Sequence, residues 1–171
     1  MTENSRAAVA TAAARAGARV AAEGFRDGLA VETKDDETDV VTAADREAQS
    51  RVIETIREMF PDDTVVGEEE DSPKTVPEAG DAWVVDPIDG TSNFVRDIEE
   101  FATAVAAVTD GSPTAAAVVL PAHGDAYVAD GTTATRNAAS TSVATLPGPE
   151  LACGVPPGRR PHNILGDARA A

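Results

Sequence analysis

The most restrictive feature of this sequence is a change of hydrophobic pattern close to Pro61. Before it, apolar residues recur at helical spacing in an Ala-rich stretch ending near Phe25 and in a second stretch, 42–60. After it, they come in short runs separated by turn sequences such as Gly111-Ser112-Pro113 and Gly124-Asp125. Helices followed by strands joined through tight turns predict an α+β fold, with two helices packed on one face of a largely antiparallel sheet.

Each predicted helix carries signals for its start and its end. Asn4 or Ser5 can cap the first helix, and Gly24 and Gly28 follow its last turns. Thr42 can cap the second helix, which a proline then ends. Segment 31–39 between the helices is polar and acidic, and it predicts either a loop or a short hairpin.

Five short apolar runs predict the strands of the sheet. They are Thr64–Gly67, Trp83–Val85, Phe101–Val108, Thr114–Leu120 and Ala126–Ala129. Residues 1–145 are therefore expected to form one α+β domain. Residues 146–171 are rich in Pro and Gly with little periodicity, and we expect a poorly structured tail or a remnant of a connection to another domain.

The charge of the chain excludes several classes of partner. With a net charge of -16 and a pI near 4.3, it lacks the basic face that nucleic acids require, and an anionic membrane would repel it. Lys34 and Lys74 are its only lysines. Many acids with few lysines suit a halophilic protein, because concentrated salt screens their mutual repulsion.

Cellular location is predicted from what the sequence lacks. Cys153 is the single cysteine, so no internal disulfide can form, which suits a reducing compartment. The N-terminal stretch is interrupted by arginines and has no signal-peptide core, and no apolar run reaches the roughly 18 residues of a membrane span. We expect a cytoplasmic protein.

The stretch WVVDPIDGTSNF, residues 83–94, ends an apolar run on two carboxylates. Pro87 cannot continue a strand ladder, so the chain is expected to turn there. Asp86 and Asp89 could then point into one cavity, joined by the carbonyl oxygen of Ile88. All three are hard oxygen ligands, which suit Mg²⁺ better than zinc.

The two residues after Asp89 suit an anion. Gly90 lets the backbone approach a ligand closely, and its N–H and that of Thr91 could bind a phosphate oxygen. An ordinary surface turn with Asp89-Gly90 at its corner explains the same residues. The stretch alone leaves both interpretations open.

Two further acids have both a structural and a functional interpretation. Glu68 follows a predicted buried strand, at the rim of the sheet, although the acidic run 68–71 is also typical of a solvated surface. Asp45 lies in the first turn of the second helix, where Thr42 caps and Asp45 complements the helix dipole. Alternatively, Asp45 could orient and polarise a hydroxyl.

Three segments together, KDDETDVVTAAD, VVGEEE and WVVDPIDGTSNFV, resemble the inositol monophosphatase family in their order and separation. This family belongs to the Mg²⁺-dependent, lithium-sensitive sugar phosphatases, which include fructose-1,6-bisphosphatases. The resemblance covers about residues 5–145, and GDAYVADGTTATRN resembles the hairpin that follows in such proteins. It implies the N-terminal half of an αβαβα fold, a small phosphorylated polyol or sugar as substrate, and a homodimer as one expected assembly.

The resemblance also implies a metal site with two or three Mg²⁺ ions, inhibited by Li⁺. Glu68, Asp86 and the Ile88 carbonyl would bind the first ion, and Asp86 would bridge to a second that Asp89 also binds. Lys34 matches a lysine of relatives that lies near a third metal position.

Catalytic roles follow from the same resemblance. Glu68 and Thr91 would position the attacking water, and Asp45 would fix Thr91. The backbone amides of Gly90 and Thr91 would hold the phosphate. Glu69 is a candidate for a residue that lies just outside the direct metal ligands.

The sequence departs from the family after the first domain. Relatives carry a C-terminal α/β domain that supplies an aspartate to the second metal site, and we expect that domain to be absent here. GDARAA, which contains Asp167, resembles that segment only faintly and lacks its tryptophan. Two hypotheses therefore remain: a phosphatase, truncated and with its activity in question, or a non-catalytic Mg²⁺- or phosphate-binding remnant or interaction subunit.

Overall fold

The fold is known from a computed structural model, which describes residues 5–25, 31–33, 40–67 and 72–141, with backbone only for 31–33 and 40–42. The predicted tail 146–171, Glu68, Glu69, Lys34, Cys153 and Asp167 lie outside the described residues. The helices are α1 (Arg6–Gly24), α2 (Ala43–Arg57) and α3 (Thr91–Phe94). The strands are β1 (Val31–Thr33), β2 (Val40–Thr42), β3 (Thr64–Gly67), β4 (Asp81–Asp89), β5 (Ala102–Thr109), β6 (Ser112–Leu120), β7 (Asp125–Ala129), β8 (Ala134–Arg136) and β9 (Ala139–Thr141).

The main sheet has seven strands in the order β3 to β9, so neighbours in sequence are neighbours in space. The β3–β4 pair is parallel and the other pairs are antiparallel. Strands β1 and β2 form a separate antiparallel pair, which agrees with the hairpin alternative. The predicted α+β class, with two N-terminal helices and a largely antiparallel sheet, is confirmed.

Helix α1 begins where one of its two predicted caps lies. The Ser5 hydroxyl accepts a hydrogen bond from the Ala8 N–H at 3.2 Å. The helix packs tightly on α2 at Gly17, where a Cβ atom would lie 2.6 Å from Cγ2 of Val52. This close approach explains a glycine inside an otherwise Ala-rich helix, where it lowers helix propensity.

The main core lies between the sheet and helices α1 and α2. It consists largely of Ala and Val, as the low aromatic content requires, with Trp83 as its largest side chain and fully buried. The indole N–H of Trp83 donates to Asp63 at 2.8 Å, and Arg6 contacts the same carboxylate at 2.7 Å. A buried indole thus keeps a hydrogen-bond partner at the core boundary.

The strand that carries the acids extends further than predicted. The expectation of a turn at Pro87 was wrong, because β4 runs on to Asp89 with a register shift between Asp86 and Asp89. An irregularity in the ladder accommodates a residue that has no N–H to donate. The Thr103 hydroxyl donates to the Pro87 carbonyl at 2.8 Å and closes the gap from β5.

Candidate metal and phosphate site

Asp86 lies on the face of the sheet opposite to α1 and α2. It is paired with Ala104, which is paired in turn with Val118, and directly paired residues share a face. Its neighbour Val85 belongs, with Val105, to the core under the helices, and side chains alternate along a strand. The side chain is half-buried, and Oδ1 of Asp86 has less than 1 Å² of accessible surface.

The parallel pairing brings the ends of β3 and β4 to one edge. Gly67, the last residue of β3, is paired with Val85, one residue before Asp86. Glu68 follows Gly67 directly in sequence, but it lies outside the described residues. Its assignment as a metal ligand and water-positioning residue therefore stays a prediction.

The irregular end of β4 presents further oxygen atoms. Asp89 is exposed, whereas the Ile88 side chain is 1% exposed and anchored in a second apolar cluster. The Ile88 carbonyl accepts a hydrogen bond from the Thr91 hydroxyl at 2.9 Å. A carbonyl oxygen has two lone pairs, so this bond leaves one for a cation.

Gly90 makes the tight connection to α3. Its φ is +91°, in the left-handed region, and a Cβ there would lie 3.0 Å from the Glu100 carbonyl oxygen. Glycine is thus required both by conformation and by space. The Asn93 amide donates to that same carbonyl at 2.7 Å and ties the turn to the following loop.

Three phenylalanines form an aromatic cluster next to the Gly90 connection. Phe94 and Phe101 meet edge to face with their centroids 5.1 Å apart, and Phe25 lies 4.8 Å from Phe101. Sequence reasoning missed this cluster. In a chain with 4% aromatic residues, two phenylalanines within 11 residues after Gly90 were the available signal.

Asp45 is buried at 5% exposure in the first turn of α2. The single hydroxyl proton of Thr91 is donated to the Ile88 carbonyl in this arrangement. The predicted fixing of Thr91 by Asp45 therefore stays a prediction. Helix-start chemistry accounts for an acid at this position in any case.

The candidate ligand atoms indicate which kind of metal ion could bind at this site. Across the described part of the chain, no three Asp, Glu, His or Cys side chains converge as a metal site. Asp86, Asp89 and the Ile88 carbonyl offer oxygen only, which fits a hard cation and not zinc or copper. The described residues thus offer oxygen atoms of the kind that a hard cation prefers, on the strand paired with the one that Glu68 follows in sequence.

Comparison with known proteins identifies the family of this chain. A profile of the inositol monophosphatase family matches residues 3–153. The inositol-1-monophosphatase of Bacillus subtilis is 34% identical over 112 residues, covering 66% of this chain and 42% of its own length. The fructose-1,6-bisphosphatase/inositol-1-monophosphatase of Thermotoga maritima is 39% identical over 101 residues (58% and 38%). The histidinol-phosphatase of Mycobacterium tuberculosis is 44% identical over 94 residues (55% and 35%).

Solved structures give the same result. The Thermotoga maritima IMPase superposes with a TM-score of 0.70 at 31% identity, covering 78% of this chain and 52% of that one. A staphylococcal inositol monophosphatase-1 soaked in LiCl, described as an inhibitory complex, superposes with a TM-score of 0.61 at 27% identity (71% and 45%). An IMPase/NADP phosphatase complexed with NADP and Ca²⁺ does so at 0.59 and 29% (65% and 43%).

The fold and the relatives agree on one family. The chain belongs to the inositol monophosphatase family. It spans less than half the length of the three curated relatives above, between 35% and 42% of each. Among the described helices, none is long and apolar enough to cross a membrane.

Proposed function

We propose that this protein hydrolyses a phosphate monoester of a polyol or sugar, of the inositol-1-phosphate or fructose-1,6-bisphosphate type, in a Mg²⁺-dependent reaction. The observation that carries the proposal is the irregular end of β4, where Asp86 and Asp89 flank the Ile88 carbonyl directly before the Gly90 turn. Oxygen ligands and a close backbone approach are what a metal-bound phosphate requires.

In this proposal Asp86, Asp89, the Ile88 carbonyl and Glu68 hold two or three Mg²⁺ ions. Bound Mg²⁺ would lower the pKa of a water molecule and offset the charge of the phosphate. Two positive ions beside a doubly charged monoester also explain how a chain of net charge -16 accommodates an anion.

The remaining residues position the reactants. Glu68 and Thr91 orient the attacking water, with Asp45 fixing Thr91. The N–H groups of Gly90 and Thr91 hold the phosphate from the left-handed turn that Gly90 makes before α3.

Several properties of the whole protein belong to the same proposal. Inhibition by Li⁺ is supported by the LiCl-soaked staphylococcal relative, and the Ca²⁺ complex of another relative supports a divalent-cation site. We further propose a domain over residues 1–145, a homodimer, a cytoplasmic location, and folding in concentrated salt, since screening lowers the repulsion among 30 acidic residues.

A second candidate function is Mg²⁺ and phosphate binding without turnover. One observation favours it: the Thr91 hydroxyl donates its single proton to the Ile88 carbonyl, so in the described arrangement that proton is not donated to the Asp45 carboxylate. The proposed fixing of Thr91 by Asp45 would require this hydroxyl to change its partner.

Phosphate release distinguishes the two functions. Inositol-1-phosphate and fructose-1,6-bisphosphate are incubated with the full chain and Mg²⁺ in molar KCl. The first proposal predicts release that Asp86→Asn and Thr91→Ala abolish and that Asp62→Asn, at an exposed position two residues before β3, leaves unchanged. Mg²⁺ binding without release supports the second candidate, and absence of both overturns the two together.

A further inference from the structure

A groove of about 500 Å³ runs along the C-terminal half of α1. One wall is a helical stripe at spacing i, i+3, i+4 and i+7, and the other is the end of β6 with the turn that follows. The lining residues are Arg15, Ala18, Arg19, Ala22, Val119 and Pro121. The floor is therefore apolar, and two guanidinium groups are the charged groups of its lining.

The groove and the candidate metal site lie on different sides of the sheet. Val119 belongs to the core cluster that contains the buried residues of α1. The preceding residue, Val118, shares the opposite face with Asp86 through Ala104. A ligand in the groove would thus be separated from Asp86 by the thickness of the sheet.

The two arginines differ from the paired arginines of the protein. Arg6 lies 2.7 Å from Asp63, and Arg136 lies 2.7 Å from Asp125. Arg15 and Arg19 are exposed, and within the described residues no carboxylate lies within 4.0 Å of either guanidinium. In a chain with more than twice as many acidic as basic residues, they form a local positive site beside an apolar surface.

We infer that this groove binds a small amphipathic organic anion, with its apolar body on the alanines, Val119 and Pro121 and its phosphate or carboxylate between Arg15 and Arg19. The volume lies within the range of small-molecule sites. Residues four apart on a helix are neighbours, so both guanidiniums can contact one anionic group, and arginine binds such groups through paired hydrogen bonds.

The charge of the protein narrows the class of ligand. A polyanion without an apolar part is repelled by the net charge of -16 and gains nothing from the floor of the groove. A neutral apolar ligand forms no ion pair with the arginines. The favoured ligand carries one anionic group on an apolar body.

The test is an NMR titration of the isotopically labelled full chain with phenyl phosphate, in EDTA so that no metal occupies the other site. The KCl concentration is the lowest that keeps the chain folded. We expect amide shifts to cluster at Ala18, Ala22 and Val119. The double substitution Arg15→Gln/Arg19→Gln should weaken binding about tenfold or more, since it removes both charged contacts.

Matched controls separate this site from general electrostatics. Arg51→Gln/Arg57→Gln removes the same charge from exposed positions on α2 and should change affinity by less than about twofold. Benzoate should replace phenyl phosphate if a carboxylate suffices, whereas benzyl alcohol and inorganic phosphate should each bind much more weakly. Equal affinity of both double variants, shifts centred on Asp86, or equal binding of benzyl alcohol would overturn the inference.

Discussion

Thr103 is the residue whose removal tests the account of β4 most sharply. It is 0% exposed, and its hydroxyl donates to the Pro87 carbonyl at 2.8 Å, across the irregularity that carries Asp86 and Asp89. Thr103→Val keeps the shape of the side chain and leaves that carbonyl buried without its donor. Such a loss costs about 1–3 kcal/mol, whereas the packing change is small.

Denaturant unfolding in high salt measures this cost as a change in the free energy of unfolding. The matched control is Thr109→Val on the same strand, because the Thr109 hydroxyl donates to Asp81 at 2.7 Å in an exposed position. We expect the control to lose no more than about 0.5 kcal/mol, as surface substitutions generally do. At a fixed substrate concentration, Thr103→Val should also need a higher Mg²⁺ concentration for half-maximal phosphate release.

The reasoning has one clear refutation. If Thr103→Val and Thr109→Val destabilise the protein equally, the Pro87 carbonyl does not depend on Thr103. If Thr103→Val and the wild type depend equally on Mg²⁺, the Thr103–Pro87 hydrogen bond does not influence the metal site.

Three other perturbations have defined outcomes. Gly90→Ala places a Cβ 3.0 Å from a carbonyl oxygen and adds left-handed backbone strain of about 1–2 kcal/mol. It should therefore destabilise the protein more than Gly80→Ala, where φ is +86° and nothing lies within 4 Å. Equal decreases in the thermal unfolding midpoint of the two variants would contradict this. Asp63→Ala removes the partner of the Trp83 indole and should lower the unfolding free energy by about 1–3 kcal/mol, with a shift in the emission of the only tryptophan; unchanged emission would count against it. Hydrogen bonds from two neighbouring threonines lower the pKa of Asp130 from 3.8 to about 2, so its contribution to stability is present above the unfolded-state pKa and lost as pH falls toward 2. Asp130→Asn should remove this part of the pH dependence of the unfolding midpoint. If the midpoint falls at low pH to the same extent in the variant and the wild type, the assignment is refuted.

The elements that the sequence predicted are those with local signals. Ser5 and the Ala-rich stretch predicted α1, and the short apolar runs predicted β3 to β7, because helical and strand periods are written into neighbouring residues. Strands β8 and β9 have three residues each, and α3 has four, too short for a period to be visible. For β8 the resemblance of GDAYVADGTTATRN to a family hairpin did indicate structure, but that stretch ends before β9.

The site shows the same division. The prediction that Asp86 and Asp89 lie on one strand end came from the sequence, but the turn at Pro87 was wrong. Whether a missing N–H ends a strand depends on the partner strand, here through Thr103, 16 residues away. The family relation was found from motif order, and the profile over residues 3–153 confirmed it. The assignments of Glu68 and Asp45 stay predictions.

Counting bound divalent metal tests the central claim most directly. Mn²⁺ prefers the same oxygen ligands as Mg²⁺, and the signal of free Mn²⁺ in electron paramagnetic resonance gives the bound fraction without any need for turnover. We predict saturable binding to the full chain in molar KCl that phosphate strengthens, and that Asp86→Asn weakens at least about tenfold while Asp62→Asn does not. Equal Mn²⁺ affinity in the wild type and in Asp86→Asn would contradict a metal site at the end of β4.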